Sequence, residues 1–278
     1  MKKNKFYFII FYLLLSTGLF FSSPCAHGAV ESPPLPANKV TLKVLTGLDR
    51  HYNLSFLWFD RLALGQLSFS KDPSAPNRYR AILDAKTLGV AAWLTGDRVQ
   101  HYETLMEMTP QGRLVPIEYS AVIYKKKEGV VIDHVKLYTF DAATRTIMLT
   151  RSKDGKKRVK EPVKVLGKRF PVDFLTAGFN FILGVDGPLR AGERKEIVTF
   201  TDEGERKIGI EVLRAEHWPK DPFFDKQKGT LLKITLPPEI LDTGGGAIYA
   251  LLDEKVLPQR VFVENVLGLG DVRGELRP

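Results

Sequence analysis

The side chains best suited to acid–base or metal chemistry are the four histidines that follow the apolar N-terminal segment: His51, His101, His134 and His217. None is spaced from another as metal ligands on one element are. His101 and Glu103 share a strand face, as do His134 and Lys136, but two residues do not make a site. Ser68-Phe69-Ser70-Lys71 spells SxxK. The acyl-serine enzymes need that motif at a helix start, and here it ends a strand, while Lys228-Gly229-Thr230 is not the companion KTG. Asp221 to Gly229 (DPFFDKQKG) lacks the oxygen-ligand period of a calcium loop. There is no P-loop, GxGxxG, HExxH or GxSxG. The expectation is a protein without catalytic constellation, metal or cofactor. The enzyme reading survives only as a hydrolase whose triad is dispersed along the chain.

Binding chemistry has two candidates. Phe56, Trp58 and Phe59 lie close together, and Trp93, Tyr102, Phe174, Phe179 and Phe181 are spread over later elements. The ordinary reading is a core. In a barrel of this size the interior is either packed or hollow, and a hollow one lined by Phe56, Trp58, Trp93, Tyr102, Phe174, Phe179 and Phe181 would suit an acyl chain or another apolar or amphiphilic ligand. The second candidate is basic. The formal net charge is +9, and from Arg151 to Arg169 nine cations face only Asp154 and Glu161, a local +7. Lys153, Lys156, Lys157, Arg158 and Lys160 are the residues placed on an anionic surface by this reading. The plainer reading is a solvated hairpin and linker.

These side chains must be positioned by strands. Tyr79, Ala81, Leu83 and Ala85 alternate with polar residues, as do Ile147 and Leu149, Ile208, Ile210 and Val212, then Leu232, Ile234 and Leu236. Such alternation predicts half-buried antiparallel strands. Asp72-Pro73, Pro110-Gln111-Gly112, Asp141-Ala142-Ala143, Asp154-Gly155 and Glu203-Gly204 fall between them and predict a meander of hairpins. Apolar residues switch from even positions (Leu54 to Leu64) to odd ones (Leu67, Phe69), which places a bulge or bend at Gly65. Two segments break the pattern. Thr87 to Gly96 fits a short helix. Pro171 to Gly184 puts Val172, Leu175, Phe179 and Ile182 on one helical face, with Phe174 and Phe181 off it, so the helix is apolar over more than one face. It is either a plug in the barrel mouth or the wall of a pocket. The fold expected is all-β and mainly antiparallel, an open or closed barrel or strongly curved meander with one or two short helices, occupying residues 40–278 as a monomer.

Residues 1–28 read as an export signal: Lys2, Lys3 and Lys5, an apolar run from Phe6 to Phe21, and Ala26-His27-Gly28 before a cut at Ala29. Two alternatives are a lipoprotein acylated at Cys25, against a poor lipobox, and an uncleaved anchor. Residues 29–39 are a Pro-rich spacer. Removal of residues 1–28 leaves 250 of the 278 residues, takes away the only cysteine and lowers the charge to +6. The mature chain then has neither disulfide nor thiol chemistry, and CxxC zinc sites are excluded. A periplasmic protein rarely meets nucleic acid, so lipid headgroups or envelope polymers are the expected anionic partners.

The order of these features resembles a family of exported bacterial proteins, domain of unknown function family 3108. The likeness rests on Ser55-Phe56-Leu57-Trp58-Phe59 through Leu64-Gly65, Tyr79 to Thr87, Gly112-Arg113-Leu114-Val115-Pro116, Tyr138-Thr139-Phe140-Asp141 and Val172-Asp173-Phe174-Leu175-Thr176. Leu189-Arg190-Ala191-Gly192 and Tyr249-Ala250-Leu251-Leu252-Asp253 with Pro258 follow in order. Thr176 stands where the motif has serine. The resemblance spans roughly residues 50–276 and implies a single β-rich envelope domain with no assigned activity. A looser likeness to lipoprotein-carrier half-barrels motivates the ligand idea by analogy of fold alone. The leading expectation is a non-enzymatic carrier or binding domain. The alternative is an interaction or scaffold module working through the basic segment.

Overall fold

The computed structural model describes residues 40–56, 59–127, 129–188, 190–241, 246–266 and 270–278. The expected signal, the spacer and Trp58 lie outside the described residues. Alternation of apolar and polar side chains runs through two antiparallel meanders. The first is β1 (Leu48–Phe56), β2 (Phe59–Lys71), β3 (Arg78–Thr87), β4 (Val99–Met108), β5 (Leu114–Lys127), β6 (Val130–Asp141), β7 (Thr146–Lys153) and β8 (Lys156–Val163). The second is β9 (Arg194–Thr201), β10 (Gly204–Val212), β11 (Thr230–Thr235), β12 (Ile248–Leu252), β13 (Pro258–Val266) and β14 (Gly270–Leu276). First and last strands join them, from Tyr52 opposite Leu276 to Phe56 opposite Val272. The fourteen described strands thus form one sheet that starts at β8 and ends at β9. It curls into a nearly closed barrel, because twisted strands with one apolar face bury it by wrapping around a common interior.

Local chemistry sets the hairpins. At the β7–β8 turn Asp154 and Gly155 have φ of 52° and 69°, the two left-handed positions of the turn whose twist matches the flanking strands. The bulge expected at Gly65 is not there. Gly65 stays in register with Tyr52 on one side and Ala85 on the other, and the irregularity falls between Leu54 and Phe56 on β1. The apolar phase shifts because Leu67 and Phe69 face the core while Leu62 and Leu64, on the opposite face, are themselves half-buried.

Four short helices interrupt the strands in the described residues, rather than one or two: α1 (Leu42–Leu45), α2 (Gly89–Thr95), α3 (Phe174–Ile182) and α4 (Pro238–Leu241). Both expected helices form. α3 starts from Asp173, whose side chain accepts from Thr176 N–H, so the helix begins after Pro171, where the pattern placed its start. α3 lies in the link between the two sheet edges and is the centre of the core. Leu175, Phe179 and Ile182 join Phe69, Met106, Leu114, Ile147 and Leu149 from the first meander. Ala177 joins Ile208, Ile210, Val212, Leu232 and Ala250 from the second, with Phe174 and Phe181 alongside. The stripe of Phe174, Gly178 and Phe181 is half-buried, and the other faces of the helix are covered. On the other face of β11 and β12, Leu231, Tyr249 and Leu251 pack under Phe224, which makes β12 buried along its whole length.

Candidate functional site

The interior is held by two fastenings of α3. Asp173 Oδ1 accepts from Thr176 N–H at 2.9 Å, and its Oδ2 accepts from Thr176 Oγ1 at 2.5 Å and Thr104 Oγ1 at 3.0 Å. At the other end Asn180 Nδ2 donates to Leu114 O at 2.8 Å while its Oδ1 accepts from Leu114 N–H at 2.9 Å. Around the helix the aromatic rings interlock. Phe179 lies 4.6 Å from Phe69, and Phe174 meets Tyr102 and Tyr119 edge-on at 5.5 and 6.1 Å. Burial pushes the Asp173 carboxyl above the usual carboxylate range and the Tyr119 phenol well above its own. One cavity, of about 30 Å³, is bordered by Tyr119, Tyr138, Lys136, Asp173, Phe174 and Asp202. That is roughly the space of one water, against the few hundred Å³ or more of a typical ligand pocket. No histidine borders it.

The seven residues expected to line a ligand site therefore divide. Tyr102, Phe174 and Phe179 converge in the filled interior, with Phe181 half-buried against the second cluster. Phe56 is half-buried at the end of β1. Trp93 does not line the interior: it stands on α2, 80% exposed. Trp58 lies outside the described residues. The residues that fix the interior, Thr104, Asp173 and Asn180, are polar, and an apolar reading of the sequence passes over them. The one available signal is Asp173-x-x-Thr176 ahead of an apolar run, a helix cap.

The histidines occupy separate elements. His51, His134 and His217 are exposed. His101 is clamped by acids of its own sheet face, with Asp84 at 2.7 Å on Nδ1 and Glu103 at 3.2 Å on Nε2. Arg80 extends this row, pairing with Glu103 and, at 2.6 Å, with Asp72. Both ring nitrogens of His101 are thus engaged in a cross-strand ladder. Among the described residues no cluster of three or more metal-ligating side chains occurs.

The basic segment also divides. Arg151 is consumed by the seam between the sheet edges, with Glu161 at 2.8 Å and Asp202 at 3.3 Å, while Lys136 holds Asp202 at 2.9 Å. Burial by itself would raise the Asp202 carboxyl, but Lys136 and Arg151 outweigh it and hold it low. Glu205 ties the following link by accepting from Leu166 and Gly167 N–H at 3.0 and 2.7 Å. Lys156 and Lys160 on the edge strand β8 are exposed and Lys153 is half-exposed. None of the three forms an ion pair among the described residues. The Lys157 and Arg158 side chains lie outside the described residues, although their backbone belongs to β8. Lys153, Lys156 and Lys160 are thus the described cations of the β7–β8 hairpin left outside ion pairs.

Compared with family models, with curated proteins and with solved structures, the chain finds no match.

Proposed function

We propose that the protein is a non-enzymatic interaction module of the cell envelope, engaging an anionic surface through the cations of the β7–β8 hairpin. The observation that carries this reading is the division of labour just described. α3 and its aromatic neighbours pack into the barrel interior, while Lys153, Lys156 and Lys160 remain outside the ion-pair network, which favours a surface site over an interior one. The proposal takes residues 1–28 as an export signal and keeps the resemblance to the exported family as part of its rationale. Each Lys or Arg near an anionic surface contributes on the order of 1 kcal/mol. Neutralising Lys156, Lys157 and Arg158 together should therefore weaken retention on an anionic matrix at least about tenfold, with parent retention falling as salt is added. Retention that does not change in the triple variant would refute the reading.

A further inference from the structure

The end of the barrel that carries the β7–β8 turn has a second feature, and it is apolar. The β5–β6 ribbon outruns its neighbours. Its last rungs, Lys125 opposite Ile132, Lys126 opposite Val131 and Lys127 opposite Val130, lie past the last rung of β4, Val99 opposite Tyr124, and past that of β7, His134 opposite Lys153. A two-stranded ribbon without a third strand is marginal in water. This one leaves Val130 and Val131 65% and 58% exposed.

α2 brings more apolar surface to the same place. Val90 and Trp93, three residues apart on one helix face, are both largely exposed. The end of α2 is fixed to the ribbon: Lys126 N–H donates to Gly96 O at 2.5 Å and Lys126 Nζ pairs with Asp97 at 3.0 Å. Gly96 has φ +70°, and a Cβ there would collide with the Lys126 backbone, so only glycine permits this approach. The β7–β8 turn joins from the other side, Asp154 N–H donating to Asp133 O at 3.1 Å. Lys125 and Lys156 are exposed around these tips, and Lys160 is exposed further back along β8, opposite Thr150.

We propose that this end of the barrel docks on an anionic phospholipid bilayer, with Trp93, Val90, Val130 and Val131 entering the boundary between headgroups and acyl chains and the lysines resting on phosphates. The proposal rests on the surface-module reading above and adds the class of partner. Val130 and Val131 sit at the end of a projecting ribbon, with Lys127 and Lys126 opposite them on the neighbouring strand. Lysine stems lie along apolar surface while their ammonium groups reach anions, and tryptophan favours the membrane interface. A soluble anionic polymer would satisfy the lysines and leave Trp93 in water.

Ser32–Pro278 is one compact unit by its contacts and contains all three apolar clusters; that piece is assayed beside the full chain, once a cooperative urea transition shows that it folds. It should sediment with vesicles of equal parts phosphatidylglycerol and phosphatidylcholine and not with phosphatidylcholine alone. Brominated lipid should quench its fluorescence, and W93F should abolish that quenching. W93S and V130S/V131S should each weaken vesicle binding about tenfold and leave binding to dextran sulfate unchanged, whereas K156E/K160E should weaken both. Vesicle binding indifferent to the apolar substitutions, or equal quenching of parent and W93F, overturns the bilayer assignment and leaves the surface module standing. Absence of binding to vesicles and dextran sulfate alike removes both readings. A dimer that W93S dissociates would assign the tips to a second copy of the chain and also overturn the proposal.

Discussion

Asn180 completes a two-bond ring with the backbone of Leu114, donating to its carbonyl at 2.8 Å and accepting from its N–H at 2.9 Å. β6 pairs with β5 only as far as Glu118 opposite Thr139, so beyond that rung an asparagine side chain takes the place of a strand. Both the nitrogen and the oxygen of the amide are engaged by this ring, which explains how a polar residue sits 2% exposed among leucines and phenylalanines.

Replacing Asn180 by leucine leaves both Leu114 groups buried without a partner. The expected loss is about 2–4 kcal/mol, read as a lower urea midpoint with an unchanged slope. Asn180→Asp should fare no better, since it removes the donor and buries a charge.

Asp173 tests the helix start. Asp173→Ala removes the cap and the shared acceptor of the Thr104 and Thr176 hydroxyls, leaving them the longer contacts to Glu118 O and to each other, for an expected loss of about 2 kcal/mol. Burial raises the Asp173 pKa in the folded state, so its favourable contribution is present below the ordinary carboxylate value and is lost as pH rises through the raised one. Asp173→Asn keeps an acceptor for Thr176 N–H and cannot ionise. The ratio of its stability to the parent's should therefore rise between pH 4 and 7, measured by denaturant titration across that range. A constant ratio would show that Asp173 does not titrate with folding.

Asp72 has the opposite sign. Hydrogen bonds from Ser74, then Arg80, hold its carboxyl at about 2 against an ordinary 3.8. The stability it supplies is full above 3.8 and disappears as pH falls through about 2. Asp72→Asn should thus flatten the acid limb of the stability profile in that window, followed by circular dichroism, and leave its neutral-pH shape alone.

Asp202 is the clasp between the two sheet edges. Its partners Lys136 and Arg151 are 39% and 40% exposed, so solvent and salt screen the pairs, and Asp202→Asn should cost only about 1 kcal/mol. The more telling readout is local: amide exchange in β8 and β9 should accelerate while β2 to β5 stay protected.

Much of the architecture was legible in one dimension because strand and helix periods are local properties. Tyr79–Ala81–Leu83, Ile147–Leu149 and Ile208–Ile210–Val212 face the core as their alternation required, and Asp154-Gly155 makes the turn its residue types favour. Gly65 misled because a switch from even to odd apolar positions has two causes, a bulge or a strand with apolar residues on both faces, and only the register separates them. Trp93 misled in a similar way, since an aromatic residue on a short helix carries no mark of the side it faces.

The basic stretch and the apolar helix were fixed by the amino-acid sequence by itself: nine cations in nineteen positions, and a segment from Pro171 to Gly184 too greasy for a surface. Their consequences were settled in three dimensions. Closure of the sheet brings Asp202 of the β9–β10 turn and Glu205 of β10 against the basic segment and withdraws Arg151, leaving Lys153, Lys156 and Lys160 outward. Packing of α3 against both meanders places its aromatic side chains in the interior. Charge and hydropathy belong to residues, whereas compensation of a charge and occupation of a cavity depend on residues far apart in the chain, and so arise only when the tertiary fold brings them together.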